Sequence, residues 1–510
     1  MMKKIRLTEK YLQIPVSLGQ PVRVLEIYDG DAKVFEAEVP AGPDGAETAE
    51  PDALAQIPLP KLAGRELLLQ GEFPETFWAG VFCTGTPIKR KETRPAFHMT
   101  AEIGWINDPN GLVYENGVYH YYFQYNPLNT EWGNMSWGHA TSCDLLHWTQ
   151  EDTVLLPEAD GMIFSGSALL PENGQMNVPE GAIAYYYTVA GGIAAWSKGK
   201  PYIQKMAYSI DHGRTLVQGK MADGSDWSLA AVAPENRDPK VFWHEESGAY
   251  IMIFWVQDHE FILLRSTDGR NWRESQRFSL EDGFECPDLV CLHGENGSCW
   301  VIFTAAGYYY PGDFDGYTFR WHGYKKCLYK GAIQYAGQTY AGVNERVIFV
   351  PWLQLKHPGR CYRGASGLPR ELSLIKETDG TFSVVQKPVC EYEEQKVETD
   401  GTNGFAELAV TCQEGAVFGL ELLFAQKEIP AYGVEYMRET GIFAMGDERV
   451  CLHAVSGEFR FIFDDTILEI IMDDGRKVGA YELPAPCIGI RCRKAYGCAL
   501  HYYQLPERDG

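Results

Sequence analysis

Acidic side chains recur beside proline at the start of three similar segments of the sequence. The segments are "NDPNGLVYENGVYHYYF", "RDPKVFWHEESGAYIMIF" and "CPDLVCLHGENGSCWVIF", and each runs through a strand-like stretch, a Gly turn and a second strand-like stretch. Their aspartates are Asp108, Asp238 and Asp288, and Glu285 stands just before the last. Two carboxyl groups that flank a bond between sugars, one ionised and one protonated, can cleave it. A single Asp-Pro pair is most often only a turn, so the repetition carries the functional interpretation.

Short strands are the elements that must bring these carboxylates together. Runs rich in Val, Ile, Tyr, Phe and Trp alternate with Asn-Gly, Asp-Gly and Ser-Gly turns, which predicts an all-β protein. Repetition of strand pairs is typical of antiparallel blades around a common axis, and so it predicts a β-propeller. Blades that begin at the axis deliver their first residues into one funnel. Asp108 is predicted to lie in an Asn-Asp-Pro-Asn-Gly turn directly before the first hairpin.

Composition divides the chain into three predicted domains, because 510 residues exceed what one core usually supports. Residues 1–92 alternate strands with an Ala/Pro/Asp-rich insert and end in the charged stretch "IKRKETRP", which indicates a small N-terminal β accessory domain and a linker. Residues 93–374 are the predicted propeller. After "GLPREL", alternating strands predict a C-terminal β-sandwich over residues 375–510.

The net charge of the chain limits the kinds of partner that it can bind. A net charge of −24 disfavours nucleic acid and anionic membrane surfaces, and no segment approaches the ~20 apolar residues of a membrane span. A small neutral carbohydrate fits better. The 13 cysteines are odd in number and form no CxxC pair, so we expect free thiols, which are typical of a reducing compartment. No apolar run follows the lysines near the N-terminus, as it would in a signal peptide, and we therefore expect a cytoplasmic protein. The oligomeric state stays open.

Metal binding is the competing use of clustered acids and histidines. The histidines His98, His120, His139 and His147 show no HxxxH or HxH spacing, and their commoner role is a hydrogen-bonded core or turn residue. We therefore expect neither a metal nor another cofactor. A Ser-His-Asp hydrolase is disfavoured because the sequence has no GxSxG elbow.

Six motifs together resemble those of glycoside hydrolase family 32, which contains invertases, inulinases and levanases. They occur in the order of that family between about residues 94 and 372. The motifs are "WINDPNG" (Trp105 to Gly111), "YYFQYNP" (Tyr121 to Pro127), "WGNMSWGHATSCDLLHW" (Trp132 to Trp148), "FSGSA" (Phe164 to Ala168), "RDPKVFW" (Arg237 to Trp243) and "ECPDL" (Glu285 to Leu289).

The resemblance implies a five-bladed propeller followed by a β-sandwich, and a retaining hydrolase that releases fructose from fructo-oligosaccharides, levan or inulin, or sucrose. Carried over motif by motif, it makes Asp108 the nucleophile, Asp238 the transition-state stabiliser and Glu285 the acid/base. It also surrounds the fructosyl unit with Asn107, Gln124, Trp132, Phe164, Ser165 and Arg237. Residues 1–92 resemble a module that precedes the core of some bacterial levanase-like members, with a structural or carbohydrate-binding role.

One departure from the family pattern bears on the substrate. Where many members have Asp-Phe-Tyr-Ala before a Gln, this chain has "IQYAGQ" over residues 333–338, so a preference for sucrose is in doubt. Two other functions stay open. A fructosyltransferase would give the same covalent intermediate to a sugar instead of water. A non-catalytic fructan-binding protein is disfavoured because none of the three acids is replaced.

Overall fold

Strands make up almost all the regular structure of the protein. The computed structural model describes residues 2–42, 50–88, 93–171, 176–221, 223–330, 333–401, 404–452 and 457–505. Within these ranges the helical elements are the α-helices Glu75–Gly80 and Cys390–Gln395 and the 3-10 turns Pro60–Leu62, Ala195–Ser197 and Asp473–Gly475. The predicted all-β class is confirmed. None of the helices in the described ranges is long and apolar enough to cross a membrane.

Two small antiparallel sheets form the N-terminal unit, residues 2–88. One contains, in spatial order, Met2–Arg6, Glu66–Gln70, Val22–Asp29 and Ala32–Pro40; the other contains Ala53–Pro58, Tyr11–Val16 and Phe82–Thr84. Their inward side chains share one apolar core, which also takes in Ile103 and Leu128 of the following domain. The N-terminal unit is therefore packed onto the rest of the protein. The predicted linker and the boundary at residue 92 lie partly outside the described residues, and the domain boundaries stay predictions.

Five antiparallel sheets follow one another between Gly104 and Pro388. Their strands are, sheet by sheet, Gly104–Glu115, Val118–Asn126, Ser136–Ser142 and Thr149–Gln150; Met162–Leu169, Ile183–Ala190, Tyr202–Ser209, Val217–Gln218 and Ser228–Leu229; Arg237–His244, Ala249–Gln257, Glu260–Ser266 and Arg273–Ser279; Asp288–Gly294, Gly297–Phe303, Tyr308–Phe314, Phe319–Trp321 and Lys326–Cys327; and Gln334–Thr339, Ile348–Leu353, Ala365–Ser366, Arg370–Lys376 and Phe382–Pro388.

The five sheets close into a ring. The first strand of the first sheet contacts the first strands of both the second and the fifth sheets. The short strand Tyr362–Arg363, which lies within the fifth-sheet segment of the chain, pairs in parallel with the start of Gly104–Glu115. This pairing joins the last sheet of the ring to the first. First strands that face one another around an axis are the arrangement that a propeller requires. The ring therefore agrees with the propeller expected from the repeated segments.

The C-terminal region is a sandwich whose two layers share the long strands Glu407–Phe424 and Cys487–Gln504. Residues 407–411 pair with Glu458–Asp464, which continues into Ile467–Met472 and Lys477–Glu482. Residues 417–422 pair with Tyr432–Met437, which continues into Ile442–Met445 and Glu448–Cys451. The remaining strands are Val397–Thr399 and Tyr329–Lys330, which pair with Cys487–Gln504 and Lys477–Glu482. Phe459 of one layer packs on Phe418 and Phe443 of the other, so the apolar core lies between them.

A buried histidine joins the propeller to the sandwich. His98 Nδ1 lies 2.8 Å from Asp464 Oδ2, and His98 Nε2 lies 3.0 Å from Glu469 Oε1. Burial by itself lowers the pKa of His98, but the hydrogen bonds and negative charges of the two carboxylates outweigh it and raise the pKa to about 9. His98 is thus a hydrogen-bonded core residue, as its spacing predicts, and it carries a structural positive charge.

Replacing His98 should be costly. We expect His98→Ala to lower the free energy of unfolding by about 3–5 kcal/mol at pH 7, because two buried carboxylates lose their partner. His147→Ala is the matched control: its pair with Asp144 is about a third exposed on each side, and such pairs contribute about 0–1 kcal/mol. The His98 contribution is complete below its unfolded pKa of 6.5 and is lost as pH rises through about 9.

Urea unfolding of the wild type and both variants at pH 7 and at pH 9.5 tests this expectation. The wild type and His98→Ala should differ less in their free energy of unfolding at pH 9.5 than at pH 7. Equal losses of stability for the two variants at pH 7 would contradict it.

Candidate active site

One pocket of about 360 Å³ gathers the nine residues to which the family resemblance gives a role. It lies where the first strands of the propeller sheets begin. Its lining consists of Asn107, Asp108, Gln124, Trp132, Phe164, Ser165, Ile193, Tyr202, Glu235, Arg237, Asp238, Glu285, Tyr335 and Trp352. A second cleft of similar volume, between the N-terminal unit and the propeller around Lys10 and Asp152, contains none of the predicted residues. The individual roles of the nine predicted residues stay predictions.

Four first strands carry a β-bulge at the same level, and in three of them at least one bulged residue lines the pocket. In each case two residues of the first strand stand opposite one residue of its neighbour, which bends the strand and re-aims its side chains. The bulged pairs are Asn107 with Asp108, Phe164 with Ser165, Asp238 with Pro239, and Ala336 with Gly337. Asp238 and Ala336 adopt φ values of +67° and +47°, a left-handed conformation that non-glycine residues seldom take. The same β-bulge thus recurs in four sheets of the ring, and each sheet places different side chains at the bulge.

The bulges correct the predicted position of Asp108. Asp108 does not lie in a turn before the first hairpin, because Gly104–Glu115 is a continuous strand that contains it. The sequence Asn-Asp-Pro-Asn-Gly is typical of a turn. A β-bulge accommodates the same residues inside a strand, because it allows a local departure from the regular strand backbone. Counted from the bulge, Asp238 corresponds to Asn107 and not to Asp108.

The fourth sheet delivers its carboxylate differently. Glu285 and Cys286 have φ values of +27° and +45° immediately before the strand Asp288–Gly294, and this backbone conformation directs Glu285 into the pocket. Asp288 is buried beside it and accepts hydrogen bonds from Lys240 Nζ at 3.1 Å and from the backbone N–H of Thr339 at 2.6 Å. Asp288 ties three first strands together at the axis, so this fourth acidic candidate is structural.

Asp108 is held by a serine from the next sheet. Ser165 Oγ donates a hydrogen bond to Asp108 Oδ2 at 2.7 Å, and the Cys286 thiol lies 3.5 Å from the same oxygen. Burial, followed by the negative charge of Glu285, raises the pKa of Asp108 to about 6, and the Ser165 hydrogen bond opposes the rise. Near neutral pH this carboxyl group is mainly ionised and points one oxygen at a defined donor.

Asp238 is the most buried of the three carboxyl groups, with 6% of its surface exposed. The backbone N–H of Cys286 donates to Asp238 Oδ2 at 3.0 Å. Burial raises the pKa of Asp238 to about 7; Arg237 opposes the rise, and the charges of Glu285 and Asp108 add to it. Asp238 and Asp108 therefore titrate as an interacting pair.

Glu285 is fixed through both oxygens. Arg237 donates to Oε2 from Nη2 at 2.8 Å and from Nε at 3.1 Å, and Tyr335 OH donates to Oε1 at 2.6 Å. The Arg237 guanidinium lies over the Trp255 ring, 4.1 Å from its centre, which fixes its plane. An acid/base carboxyl group needs this kind of orientation, because it must reach one oxygen of the substrate.

Sequence reasoning missed five residues of the lining, namely Ile193, Tyr202, Glu235, Tyr335 and Trp352. Only Tyr335 had a signal, since it belongs to the segment that departs from the family pattern. Of its neighbours, Ile333 packs against the apolar cluster around Leu353, and Gln334 donates to the Val478 carbonyl at 2.8 Å, away from the pocket. The departure therefore leaves Tyr335 in place.

Aromatic rings form the walls of the pocket. Phe164 packs edge-on against Trp132 and Tyr202, at 6.1 Å and 5.6 Å between ring centres. Trp105 Nε1 donates to Asn107 Oδ1 at 2.9 Å and so orients the amide. Among the described residues, no group of three or more His, Cys, Asp or Glu side chains could hold a metal ion. Apolar faces and a few oriented polar groups suit a small polar ligand such as a sugar.

The carboxyl groups predict the acid side of the pH profile. The proposed reaction needs an ionised Asp108, so kcat/KM should decrease on the acid side (the acid limb) of the profile, by about tenfold per pH unit. The decrease should begin between about pH 6 and about pH 7, because these are the values to which the pKa of Asp108 and the pKa of Asp238 are raised. Ser165→Ala should move this limb to higher pH, because it removes a hydrogen bond that lowers the pKa of Asp108. Initial rates between pH 4 and 9 test both expectations; an unmoved limb in the variant would contradict the second.

Comparison with known proteins agrees with this geometry. A family model described as "Glycosyl hydrolases family 32 N-terminal domain" matches residues 98–388. The levanase of Bacillus subtilis (strain 168) is 28% identical over 469 residues, covering 76% of this chain and 66% of that protein. The invertase of Debaryomyces hansenii is 34% identical over 282 residues, covering 51% of this chain and 52% of that protein. The chain thus spans between about half and two thirds of the length of these curated relatives.

Solved structures share the fold. The exo-inulinase of Aspergillus awamori superposes with a TM-score of 0.70 at 22% identity, over 81% of this chain and 98% of that chain. A family 32 glycoside hydrolase from Bifidobacterium adolescentis superposes with a TM-score of 0.65 at 19% identity, over 99% of this chain and 100% of that chain. The second likeness extends over nearly the whole chain and so includes the N-terminal unit.

Proposed function

This chain belongs to the glycosyl hydrolases of family 32, and from that premise we propose that it hydrolyses β-fructofuranosides and releases fructose with retention of configuration. The observation that carries the proposal is the convergence of Asp108, Asp238 and Glu285, from three sheets, on one pocket that also orients each of them. Retaining glycosidases need one carboxylate to attack and one carboxylic acid to protonate the leaving oxygen.

In the proposed first step the Asp108 carboxylate attacks the anomeric carbon of the terminal fructosyl unit. Ser165 holds Oδ2 of Asp108, and we assign the attack to Oδ1. Glu285 gives its proton to the glycosidic oxygen, so the shortened sugar chain leaves as an alcohol. The product of this step is a fructosyl ester of Asp108.

In the proposed second step Glu285 acts as a base and takes a proton from a water molecule, which attacks the same carbon and frees Asp108. Arg237 and Tyr335 keep Glu285 in reach for both steps. We assign Asp238 to the sugar hydroxyl groups, where a buried carboxylate makes charge-assisted hydrogen bonds. The side chains of Asn107, Gln124, Trp132, Phe164 and Ser165 complete the proposed fructosyl site.

We further propose removal of single fructose units from the ends of short fructans, in preference to sucrose. Support comes from a pocket of about 360 Å³, which suits one chain end. The test is the early product profile on a defined fructo-oligosaccharide, with kcat/KM compared across sucrose, inulin, levan and short oligosaccharides. Free fructose should be the first product. Internal fragments, or a kcat/KM for sucrose well above every oligosaccharide, would overturn the proposal.

The same assay separates hydrolysis from the two other functions. A fructosyltransferase would form longer oligosaccharides at high sucrose, with glucose released in excess of fructose. A binding protein would retain fructan without releasing fructose. The oriented carboxyl groups favour hydrolysis over simple binding, because orientation of this kind costs stability and serves chemistry.

We also propose that the protein works in a reducing compartment such as the cytoplasm. Support comes from its 13 cysteines, which are odd in number and form no CxxC pair. In the described part of the chain the Cys412 and Cys498 sulfurs lie 3.6 Å apart without a disulfide between them. Alkylation of thiols in unbroken cells, followed by counting the modified cysteines, tests this. A disulfide between Cys412 and Cys498 in such cells would contradict it.

A further inference from the structure

We propose that the N-terminal unit is a positioning element of the substrate pocket. Its edge strand Ala32–Pro40 holds two propeller loops that form the mouth of the pocket: the Trp132 loop, residues 127–135, and the Ile193 loop, residues 191–201. The inference rests on the proposed function only for its effect on catalysis. The contacts between the unit and the loops stand by themselves.

The Trp132 loop is anchored to the N-terminal unit at both ends. Leu128, near its start, is fully buried in the apolar core of the unit. Near its end, Asn134 Nδ2 donates to the Glu38 carbonyl at 2.8 Å, and Asn134 Oδ1 accepts from the Glu38 N–H at 2.8 Å. The amide therefore pairs with both backbone groups of one residue, as a neighbouring strand would, and so covers an otherwise open sheet edge.

The anchor at Asn134 also shapes the loop internally. Asn134 is 4% exposed and has a φ of +47°, so its backbone is held in a conformation that needs support. Its Nδ2 donates to Asn126 Oδ1 at 3.1 Å, and Asn126 Nδ2 donates to the Glu131 carbonyl at 2.8 Å. Trp132 itself is 49% exposed. Its position is therefore set by the loop backbone more than by its own packing.

The Ile193 loop is held by Glu36. Glu36 Oε1 accepts from the backbone N–H of Trp196 at 3.0 Å, and Glu36 Oε2 accepts from Lys33 Nζ at 2.7 Å. Lys33 is in turn paired with Glu26 on the neighbouring strand. Glu36 is 9% exposed, so its bond to the loop is charge-assisted and largely removed from water. Inside the loop, Gly192 N–H donates to the Ser197 carbonyl at 2.9 Å, which closes the backbone around Ile193.

Loosening these loops should weaken substrate binding and leave the chemical step unchanged. Trp132 and Ile193 are walls of the pocket that carry no reacting group, and a contact made equally in the bound substrate and the transition state alters KM without altering kcat. Loss of one anchoring hydrogen bond should raise KM by about 3–10-fold, with kcat within about twofold.

The variants Glu36→Ala and Asn134→Ala test the proposal, with Glu66→Ala as the matched control. Glu66 belongs to the same sheet, but its pair with Lys4 is exposed, and the strand Val22–Asp29 lies between its own strand and the edge strand Ala32–Pro40. We expect a higher KM in the first two variants and none of this effect in the control. Glu36→Gln keeps an acceptor for Trp196 and should restore most of the wild-type KM. Asn134→Asp cannot donate to the Glu38 carbonyl and should resemble Asn134→Ala.

Hydrogen–deuterium exchange of the substrate-free proteins gives a readout that does not depend on activity. Exchange should increase in residues 191–201 for Glu36→Ala and in residues 127–135 for Asn134→Ala, and stay unchanged for Glu66→Ala. Unchanged exchange in the loops, or KM values equal to that of Glu66→Ala, overturns the proposal. If the wild type releases no fructose from any fructoside, the proposed function fails, and the exchange comparison still decides whether the unit positions the loops.

Discussion

Asp108→Asn and Glu285→Gln should each lower kcat on a fructo-oligosaccharide by several orders of magnitude, on the order of 10⁴ or more, without changing the unfolding midpoint. An amide in place of Asp108 cannot form the ester intermediate, since its nitrogen and oxygen are poor nucleophiles. An amide in place of Glu285 is far too weak an acid to protonate the leaving oxygen. Each side chain is held by contacts that an amide can largely retain, so the fold should stay intact.

Two measurements separate the roles of these residues. A fructoside with an activated aryl leaving group needs little protonation, so the first step should recover substantially in Glu285→Gln and not in Asp108→Asn. Asp226→Asn is the control for the change of charge, because Asp226 lies at the surface beside Lys220. Near-normal kcat in Asp108→Asn, or equal recovery of both variants on the activated substrate, would remove the assigned mechanism.

Strand periodicity and the recurring segments with Asp beside Pro predict the ring of sheets and the convergence of their acidic residues, whereas the choice of Asp108, Asp238 and Glu285 among these residues comes from the family resemblance. The alternation of side chains along a strand is local, and so it can be read from sequence. The strand register of each side chain could not be predicted, because a β-bulge inserts one residue into a strand without a characteristic sequence motif. For this reason the sequence predicts Asp108 in a turn, and it does not indicate that Asp238 occupies the same bulge position as Asn107.

Contacts between distant segments explain the remaining differences. Asp288 has the same sequence context as the other aspartates, but Lys240 and Thr339, from two other sheets, bind its carboxylate. Tyr335 reaches Glu285 across a separation of 50 residues. The N-terminal unit contacts two propeller loops through Glu36 and through Asn134 of one loop, and the partners of these side chains across the contact are backbone groups. A backbone partner leaves no trace in the type of the residue that provides it.

Asp238→Asn should lower kcat by on the order of 10²–10³ and raise KM much less, because the carboxylate is expected to bind sugar hydroxyl groups most strongly when positive charge develops on the ring. The buried carboxylate is already oriented in the free protein by the N–H of Cys286, so no reorganisation is needed as that charge develops. An amide keeps the shape and can still pair with a hydroxyl group, but it lacks the charge.

The pH profile of Asp238→Asn distinguishes this role from simple binding. Burial raises the pKa of the Asp238 carboxyl group to about 7, and its negative charge interacts with that of Asp108. Replacing Asp238 by Asn should therefore remove one titrating group and lower the pKa of Asp108. Both effects move the acid limb of kcat/KM to lower pH. Steady-state rates between pH 4 and 9 on one oligosaccharide measure kcat, KM and the limb together. A rise in KM alone, with kcat and the limb unchanged, would make Asp238 a binding residue and leave the stabilisation of the transition state to Arg237 and the remaining pocket.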